Sequence, residues 1–480
     1  MKVSMAKNAV YKVILNVFNL LVPLFVGPYI AGLISPELYG VYNRVFAEFQ
    51  VFFILGGFGI YNYGVREISK VQNDEEKFKS IFTSLFLIGI ISNVLVTIFY
   101  VIYFWHRGSG IDRYIYLVMI IQMMSNIFYI EFVNEAVENY GFIAKKTIFI
   151  RGLYLVAIFL FVRKPTDVII YSVIVCATVF FNNFASFVYL KKQFKFSFKN
   201  IQIKPHIFPL IVNLVFVNVE LLYGQLDKVM LSPFVNDIAV TEYTLPTTLI
   251  GMISTIPLSL ITVAIPRLSK YIGEKNKKQY EATLYETTRV YMAMLIPMTF
   301  GVFILSKEIM WLYSKDVYTY VYPVLACAAL SRIIYGYESI VTYLVMYVNG
   351  LEKQLTSFLF GCGILNLGFN LFFVAIGKFS ALTALIGTMI SVLVFDIIAT
   401  RYSEKKLNMN CRFFSKDICK YYLVALTFIP VSIFVNKLHL GYLFNIVVEV
   451  VICVGIYGVF MLATKDPIVV VVMQKFKRKK

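Results

Sequence analysis

The sequence is poor in charge and in the side chains that most often carry out chemistry. Its 480 residues include 27 acidic residues, 3 histidines and 2 tryptophans, and only 15% of the residues are charged. No GxxxxGK[ST] phosphate loop and no HExxH motif occur, which argues against direct ATP hydrolysis. His106, His206 and His439 all fall at the ends of apolar runs, where a solvated, interfacial role is typical. We therefore expect neither an enzyme active site nor a cofactor.

Cysteine is also scarce and widely scattered. The chain has six cysteines without a CxxC pair and without a neighbouring group of histidines. This spacing argues against a metal site and against a disulfide framework. The six residues are expected to fill small apolar spaces; they are Cys176, Cys327, Cys362, Cys411, Cys419 and Cys453.

Apolar residues, in contrast, dominate the composition. They make up 59% of the chain and the mean hydropathy is +0.75, whereas soluble domains are roughly 45–50% apolar. Apolar runs of about 17–25 residues, long enough to cross a membrane as helices, recur along the chain. The sequence predicts an all-α membrane protein of about fourteen transmembrane helices, near 10–34, 41–64, 80–104, 114–133, 147–162, 168–189, 207–232, 242–265, 290–306, 321–346, 355–376, 379–400, 421–436 and 442–464.

The net charge of +18 is explained by membrane orientation better than by nucleic acid binding. If the N-terminus is cytoplasmic, 34 of the 45 lysines and arginines fall on the cytoplasmic side and 8 on the outer side. This asymmetry predicts that both termini are cytoplasmic and that no nucleic acid is bound. It also predicts a multi-pass protein of the plasma or inner membrane.

The connections between the predicted spans are too short for an extramembrane domain, so any chemistry must occur between helices. A weak internal repeat exists, because Tyr42 precedes Arg66 by the same interval that separates Tyr243 from Arg267. Such a repeat favours two six-helix pseudo-symmetric halves followed by a C-terminal helix pair. The predicted divisions are an N-lobe over residues 1–206, a C-lobe over 207–420, and the helix pair with a basic cytoplasmic tail over 421–480.

Charges inside the spans are the candidate functional residues, because burying an ionisable group in hydrocarbon costs several kcal/mol. Arg332 is about eleven residues into its span, or ~17 Å at the helical rise, and Glu220 is similarly central. Arg44 and Glu48 share one helix face by their four-residue spacing. The structural alternative is that Arg44 pairs with Glu48 and Arg332 with Glu220.

Other charged residues lie nearer the ends of their spans. Asp227 and Lys228 are near the outer end of the seventh span, where Lys228 could also reach the interface. Glu131, Glu338 and Asp396 lie toward cytoplasmic ends, where solvated capping is the expected role. The cations favour an anionic substrate held by Arg44, Arg332 and Lys228. The acids Glu48, Glu220 and Asp227 are candidates for pairing or for coupling to protons.

Several segments together resemble the bacterial oligosaccharide flippases of the Wzx type, in the multidrug/oligosaccharidyl-lipid/polysaccharide exporter superfamily. The resemblance covers nearly the full chain, and it departs from the family pattern at Phe132 to Glu138, where Glu135 replaces a usual glutamine. The matching segments are Ser35-Pro36-Glu37-Leu38-Tyr39-Gly40, Phe58-Gly59, Tyr63-Gly64-Val65-Arg66-Glu67-Ile68-Ser69, Tyr223 to Leu231, Pro266-Arg267-Leu268-Ser269, Asn366-Leu367-Gly368-Phe369-Asn370 and Leu382-Thr383-Ala384.

The resemblance implies a flippase that moves undecaprenyl-diphosphate-linked oligosaccharide repeat units to the outer leaflet for capsule, exopolysaccharide or O-antigen assembly. It implies alternating access around a cationic cavity, a groove for the lipid tail at the last two spans, and polysaccharide polymerase and assembly proteins as partners. Arginine suits the substrate because it binds phosphate bidentately.

Three other functions compete with this interpretation. A multidrug or cation extruder of the same superfamily would favour an acidic cavity, which Arg44, Lys228 and Arg332 argue against. A membrane polysaccharide polymerase or glycosyltransferase usually carries a long outer loop, and the outer loops here are short. A scaffold subunit without transport activity is the third alternative.

Overall fold

The computed structural model describes residues 5–71, 74–193, 196–198, 201–411, 413 and 415–466, and it describes side chains outside 5–10, 12–13, 16 and 215–223. All regular structure in this part of the chain is helical. The described chain forms two compact units, Met1–Thr241 and Glu242–Lys480. The boundary between these units falls one helix later than the predicted boundary at residue 206, while the assignment of spans to lobes stays a prediction.

The described part of the first unit contains nine α-helices, one 3-10 turn and the first residues of α10. Their bounds are α1 Met5–Leu33, α2 Pro36–Gly57, α3 Ile60–Lys70, α4 Glu75–Arg107, α5 Gly110–Ser125, a 3-10 turn Asn126–Phe128, α6 Glu131–Ala136, α7 Tyr140–Phe161, α8 Val168–Gln193, α9 Lys204–Phe234 and α10 Asp237–Gly273.

The second unit contains the rest of α10 and the helices that follow it. Their bounds are α11 Lys277–Ile304, α12 Ser306–Ser314, a 3-10 turn Thr319–Val321, α13 Tyr322–Ser339, a π-helical segment Ile340–Tyr347, α14 Glu352–Ala375, α15 Ala381–Leu407, α16 Lys416–Leu426, α17 Phe428–Asn436 and α18 Tyr442–Ala463.

Eleven helical segments of the described chain are long and apolar enough to cross a membrane, so the protein is a multi-pass membrane protein. Helices also occupy the other three predicted spans, as α1, α7 and α9. Among the residues of α1 whose side chains are described, the apolar stretch is Val17–Leu33, and α7 carries three basic residues, Lys145, Lys146 and Arg151. The total of fourteen spans stays a prediction.

Side-chain bonds support the places where helices break within a predicted span. The span predicted over 41–64 is interrupted where Phe58 and Gly59 both adopt left-handed backbone angles, with φ of 48° and 68°. The Gly59 carbonyl that this break exposes accepts a hydrogen bond from Asn213 Nδ2 at 2.6 Å. A Cβ on Gly59 would lie 2.7 Å from the Leu214 backbone nitrogen, so glycine is required there for both reasons. The Asn213 side chain thus satisfies the Gly59 carbonyl, which has no water to bond to inside the hydrocarbon.

Two short connections on the predicted outer side of the membrane contact each other. The turn after α1 bonds to the turn after α7, through Ser35 N to Pro165 O at 3.1 Å. In that second turn, backbone N–H groups of Arg163 and Lys164 donate to Asp167, which lowers the pKa of its carboxyl. Both turns are predicted to be outer, as the alternation of spans requires.

The end of α18 is fixed by a buried acid. Asp466 is fully buried, and its Oδ2 lies 2.8 Å from Arg289 Nη2 on α11 and 2.7 Å from Lys420 Nζ on α16. The hydroxyl of Tyr421 donates to the same oxygen at 2.9 Å. Tyr457 of α18 adds a bond to the Ala293 carbonyl at 2.6 Å. The hairpin of α17 and α18 is therefore tied to the body of the second unit.

Candidate functional site

In the first unit, charged side chains meet where α2, α5 and the start of α10 come together. Arg44 of α2 is 7% exposed and is held by two carboxylates. Its Nη2 lies 2.9 Å from Asp112 Oδ2, and its Nε lies 2.8 Å from Asp237 Oδ1. The third nitrogen, Nη1, donates to the Tyr116 hydroxyl at 3.3 Å. Every arm of the guanidinium is thus engaged within one unit of the protein.

The acids around Arg44 are themselves positioned by local structure. Asp112 begins α5 as part of a capping box in which its Oδ1 accepts from Ser109 N at 2.7 Å. Asp237 begins α10 and accepts from Ser232 Oγ at 2.5 Å. Gly40 allows α10 to approach, because a Cβ there would lie 2.6 Å from the Asp237 carbonyl carbon. The sequence therefore builds this site from two helix starts and one close backbone approach.

Glu48 joins the same group of residues indirectly. It is 3% exposed and accepts a hydrogen bond from the Tyr116 hydroxyl, while Arg107 Nη2 lies 3.7 Å from its Oε1. The predicted direct pairing of Arg44 with Glu48 is wrong, because Tyr116 lies between them and Arg44 has closer acids. Three carboxylates and two guanidiniums share this site, so it carries no surplus of positive charge.

Arg332 of α13 is in a different situation in the second unit. It is half-buried, its Nε is buried without a hydrogen-bond partner among the described residues, and its guanidinium carbon lies 5.0 Å from the centre of the Tyr335 ring. A cation over an aromatic face gains modest stabilisation without using its N–H donors. The geometry leaves a donor of Arg332 available to an anion near the middle of its span.

The remaining candidates lie on α9 or close to it. Asp227 is fully buried and Lys228 is half-buried. Glu220 lies on α9 with a side chain outside the described residues, so its predicted pairing with Arg332 stays a prediction. The structure brings Arg44 and Glu48 into one site, and it places Arg332 in the other unit.

Two predicted capping acids instead contact other side chains of the protein. Glu131 lies 3.0 Å from Lys146 Nζ, and Glu338, 3% exposed, accepts from Thr342 Oγ1 at 2.9 Å. Asp396 is 7% exposed. Solvated capping is therefore the wrong description of Glu131 and Glu338, because each contacts another side chain of the protein, and Asp396 has little exposed surface.

Sequence reasoning does not find Asp112 and Asp237, because both fall in predicted connections, nor Tyr116, which is an uncharged residue at the start of a predicted span. One signal could have found the acids. The starts of the second, fourth and eighth spans share one predicted side with Arg44, so acids at those starts are the natural partners of a cation at the same depth.

The fold is that of transporters of the MOP superfamily. The lipid II flippase MurJ in an inward closed conformation aligns with a TM-score of 0.70 at 15% identity, covering 95% of this chain and 99% of that one. An inward-facing multidrug resistance MATE family transporter gives 0.66 at 13% identity, covering 81% and 94%. A MOP superfamily transporter from Pyrococcus furiosus gives 0.54 at 15% identity, covering 83% and 95%.

The family follows from the sequence itself. The family model described as polysaccharide biosynthesis protein matches residues 5–272, and the chain belongs to that family. The MatE family model matches residues 209–372. No curated protein matches the chain. The predicted relationship to polysaccharide export is confirmed at the level of this family, and the Wzx type stays a prediction.

Proposed function

We propose that the protein is a flippase that moves undecaprenyl-diphosphate-linked oligosaccharide repeat units from the cytoplasmic to the outer leaflet. Its family membership and its fold support this proposal, since polysaccharide biosynthesis requires a lipid-linked, strongly anionic precursor to cross the bilayer. The lipid tail would stay in the membrane while the headgroup crosses through the protein by alternating access. The exported units would feed polysaccharide polymerase and assembly proteins for capsule, exopolysaccharide or O-antigen.

The observation that carries the proposal is the free donor of Arg332. A guanidinium near the bilayer centre costs several kcal/mol unless a partner compensates it. The described residues leave its Nε without a hydrogen bond. A diphosphate would supply acceptors in the forked geometry that arginine matches. We assign Arg332 as the primary contact for the diphosphate.

Arg44 has a different role in this proposal. It could contact substrate only by leaving Asp112 or Asp237, and breaking a buried ion pair costs about 3–5 kcal/mol. We propose that it mainly positions α2 against α5 and α10. Lys228 remains a second contact for the anion, and Glu48, Glu220 and Asp227 remain candidates for coupling.

The test uses purified protein in liposomes with a labelled lipid-linked repeat unit, with and without a pH gradient. Arg332→Ala is expected to abolish transfer of the label to the opposite leaflet without loss of inserted protein. Arg332→Lys should retain partial activity if charge alone suffices and none if the bidentate geometry is needed. The control is Arg163→Ala in an exposed turn, which should flip like the unmodified protein.

A cellular readout separates the rival functions. Cells that lack the gene should accumulate single lipid-linked repeat units on the cytoplasmic leaflet. Accumulation on the outer leaflet would instead indicate a polymerase, and normal flipping by Arg332→Ala would remove that residue from the site.

A further inference from the structure

A pocket lies at one end of the second unit, between α12, α13 and the hairpin of α17 and α18. It has a volume of about 990 Å³, and its lining includes the ends of four predicted spans at Ser306, Tyr322, Asn436 and Tyr442. All four ends are on the predicted outer side of the membrane. Sites for small organic ligands are typically clefts of roughly 300–1,000 Å³. This pocket therefore has the size of a ligand site and lies where helices meet the outer water.

This pocket is separate from the surroundings of the Arg332 guanidinium. The residues of α13 that line it are Tyr322, Pro323, Ala326, Cys327 and Leu330. Arg332 is two residues beyond Leu330, which places it about 200° further around the helix. The contact proposed for the diphosphate and this pocket are thus on different faces of α13.

A carboxylate of α12 lines the pocket without a partner. Glu308 is 3% exposed, and no hydrogen bond or ion pair to its carboxylate occurs among the described residues. Burying such a group without compensation is costly. The buried acids Asp112 and Asp466, in contrast, each pair with a basic side chain. The geometry therefore indicates that a donor from outside the protein satisfies Glu308.

Polar side chains of α17 and α18 form a chain of hydrogen bonds at the same pocket. Asn445 Nδ2 donates to Asn436 Oδ1 at 3.0 Å, Asn436 Nδ2 donates to Ser432 Oγ at 3.2 Å, and Ser432 Oγ donates to Glu449 Oε1 at 3.2 Å. The chain engages the hydroxyl and both amide nitrogens. It leaves Asn445 Oδ1 and Glu449 Oε2 buried without a hydrogen-bond partner among the described residues. The pocket therefore has a surplus of acceptors and needs a ligand that donates.

The charges around the pocket restrict the ligand further. An anion would be repelled by Glu308 and Glu449. A cation arriving from the water would pass Lys307, which is exposed in the lining with its Nζ 5.8 Å from the Tyr442 ring centre. No group of three or more His, Cys, Asp or Glu side chains in the described chain could hold a metal ion. A neutral ligand with several hydroxyl groups avoids both repulsions, and a hydroxyl donates strongly to a carboxylate.

Aromatic surface lines the same end of the pocket. Tyr322 is 41% exposed, and the ring of Tyr442 is held against Trp311 with centroids 5.0 Å apart. Aromatic rings pack on apolar surface and also accept weak contacts from C–H groups. A sugar ring combines an apolar face of C–H groups with a rim of hydroxyls. The pocket offers a partner for each of these two parts.

We infer that this pocket binds a neutral saccharide, with its hydroxyls donating to Glu308 and Asn445 and a ring face against Tyr322. The physiological ligand would be the sugar part of exported material, and that assignment rests on the proposed function. Saccharide binding itself uses neither Arg332 nor Arg44.

Binding of three neutral disaccharides, lactose, maltose and N,N′-diacetylchitobiose, to the purified full-length protein in nanodiscs tests the inference. Equilibrium dialysis should show binding of at least one of them. Glu308→Gln should weaken that binding by about five- to ten-fold, because a hydroxyl bonds a carboxylate more strongly than it bonds a neutral amide. Tyr322→Leu should weaken it by a smaller factor. Asp316→Asn, an exposed acid of the same connection outside the lining, is the matched control and should leave the affinity unchanged.

Cys327 reports whether the ligand occupies this pocket, since it lines the pocket and is partly exposed. With the other five cysteines replaced by serine, the bound disaccharide should slow its modification by a maleimide. The inference is overturned if none of the three disaccharides binds, if Glu308→Gln binds as tightly as the unmodified protein, or if a saturating disaccharide leaves the rate at Cys327 unchanged.

A separate comparison distinguishes this inference from the flippase proposal. Arg332→Ala should bind the disaccharide as the unmodified protein does, although it is expected to lose flipping. A protein that flips the lipid-linked repeat unit but binds no disaccharide would refute the pocket assignment alone. A protein that binds the disaccharide in the pocket but does not flip would refute the flippase proposal alone.

Discussion

Arg44 and Arg332 are both arginines within membrane-spanning helices, yet their surroundings differ. Arg44 is surrounded by Asp112, Asp237 and Tyr116, whereas Arg332 lies over the ring of Tyr335 with a buried donor unused. The sequence identifies both residues as functional candidates because charge in hydrocarbon needs an explanation. It could not rank them, since the partners of Arg44 come from positions 68 and 193 residues away.

The two acids that hold Arg44 should contribute unequally. Asp112→Ala removes the more deeply buried of the two acids that pair with the Arg44 guanidinium. It is expected to destabilise the protein by about 3 kcal/mol. Asp237→Ala should cost less, because its side chain is 27% exposed against 10% for Asp112 and is partly hydrated. Thermal unfolding in detergent compares the two variants. Equal losses would indicate that exposure does not govern this pair.

At the scale of helices, apolar runs located the spans well but not the breaks inside them. The break at Phe58 and Gly59, the change to a 3-10 turn at Asn126, and the boundary between α16 and α17 all fall within predicted spans. Composition cannot show these breaks, because the residues that satisfy the freed carbonyls come from other helices. Asn126 Nδ2 donates to the Phe53 carbonyl at 3.3 Å, for example.

Gly40→Ala should disturb the approach of α10 to α2. The added Cβ would lie 2.6 Å from backbone atoms of Asp237, and backbone cannot turn aside as a side chain can. Overpacking of this kind costs about 1–3 kcal/mol, and it would also lengthen the contact between Arg44 and Asp237.

Gly57→Ala is the matched control for this variant. It lies on the same helix with no neighbouring atom within 4 Å of its Cβ position. It should be neutral or slightly stabilising, since alanine favours helix more than glycine does. Thermal unfolding compares the melting temperatures of Gly40→Ala and Gly57→Ala. Equal melting temperatures would show that packing does not require glycine at position 40.

At the scale of the whole molecule, the predicted alternation of spans can be compared with contacts inside each unit. In the first unit, α4 contacts the segment before α9, through Ser197 N to Thr83 Oγ1 at 3.1 Å; Ser197 is in a predicted cytoplasmic connection and Thr83 is at the cytoplasmic end of its predicted span. Lys277 Nζ likewise contacts the Leu407 carbonyl at 3.2 Å. Each contact shows that two connections lie at the same end of one unit. The contacts do not fix which side is cytoplasmic, because only the distribution of lysine and arginine addresses that question.

Labelling of single cysteines tests the predicted orientation. Cys419 is exposed near the start of α16 on the predicted cytoplasmic side. With the other five cysteines replaced by serine, it should react with a membrane-impermeant maleimide in inverted vesicles and not in intact cells. A Lys164→Cys variant with all six native cysteines replaced by serine should react in intact cells. The reverse pattern would invert the proposed topology and the direction of transport.

The buried carboxylate at the end of α18 has a practical consequence for following the protein at work. Because Asp466 ties the terminal hairpin to α11 and α16, a fluorescent reporter placed on that hairpin would travel with those helices as one piece. Movements of the second unit could then be recorded optically while every residue assigned to ligand binding is left as it is.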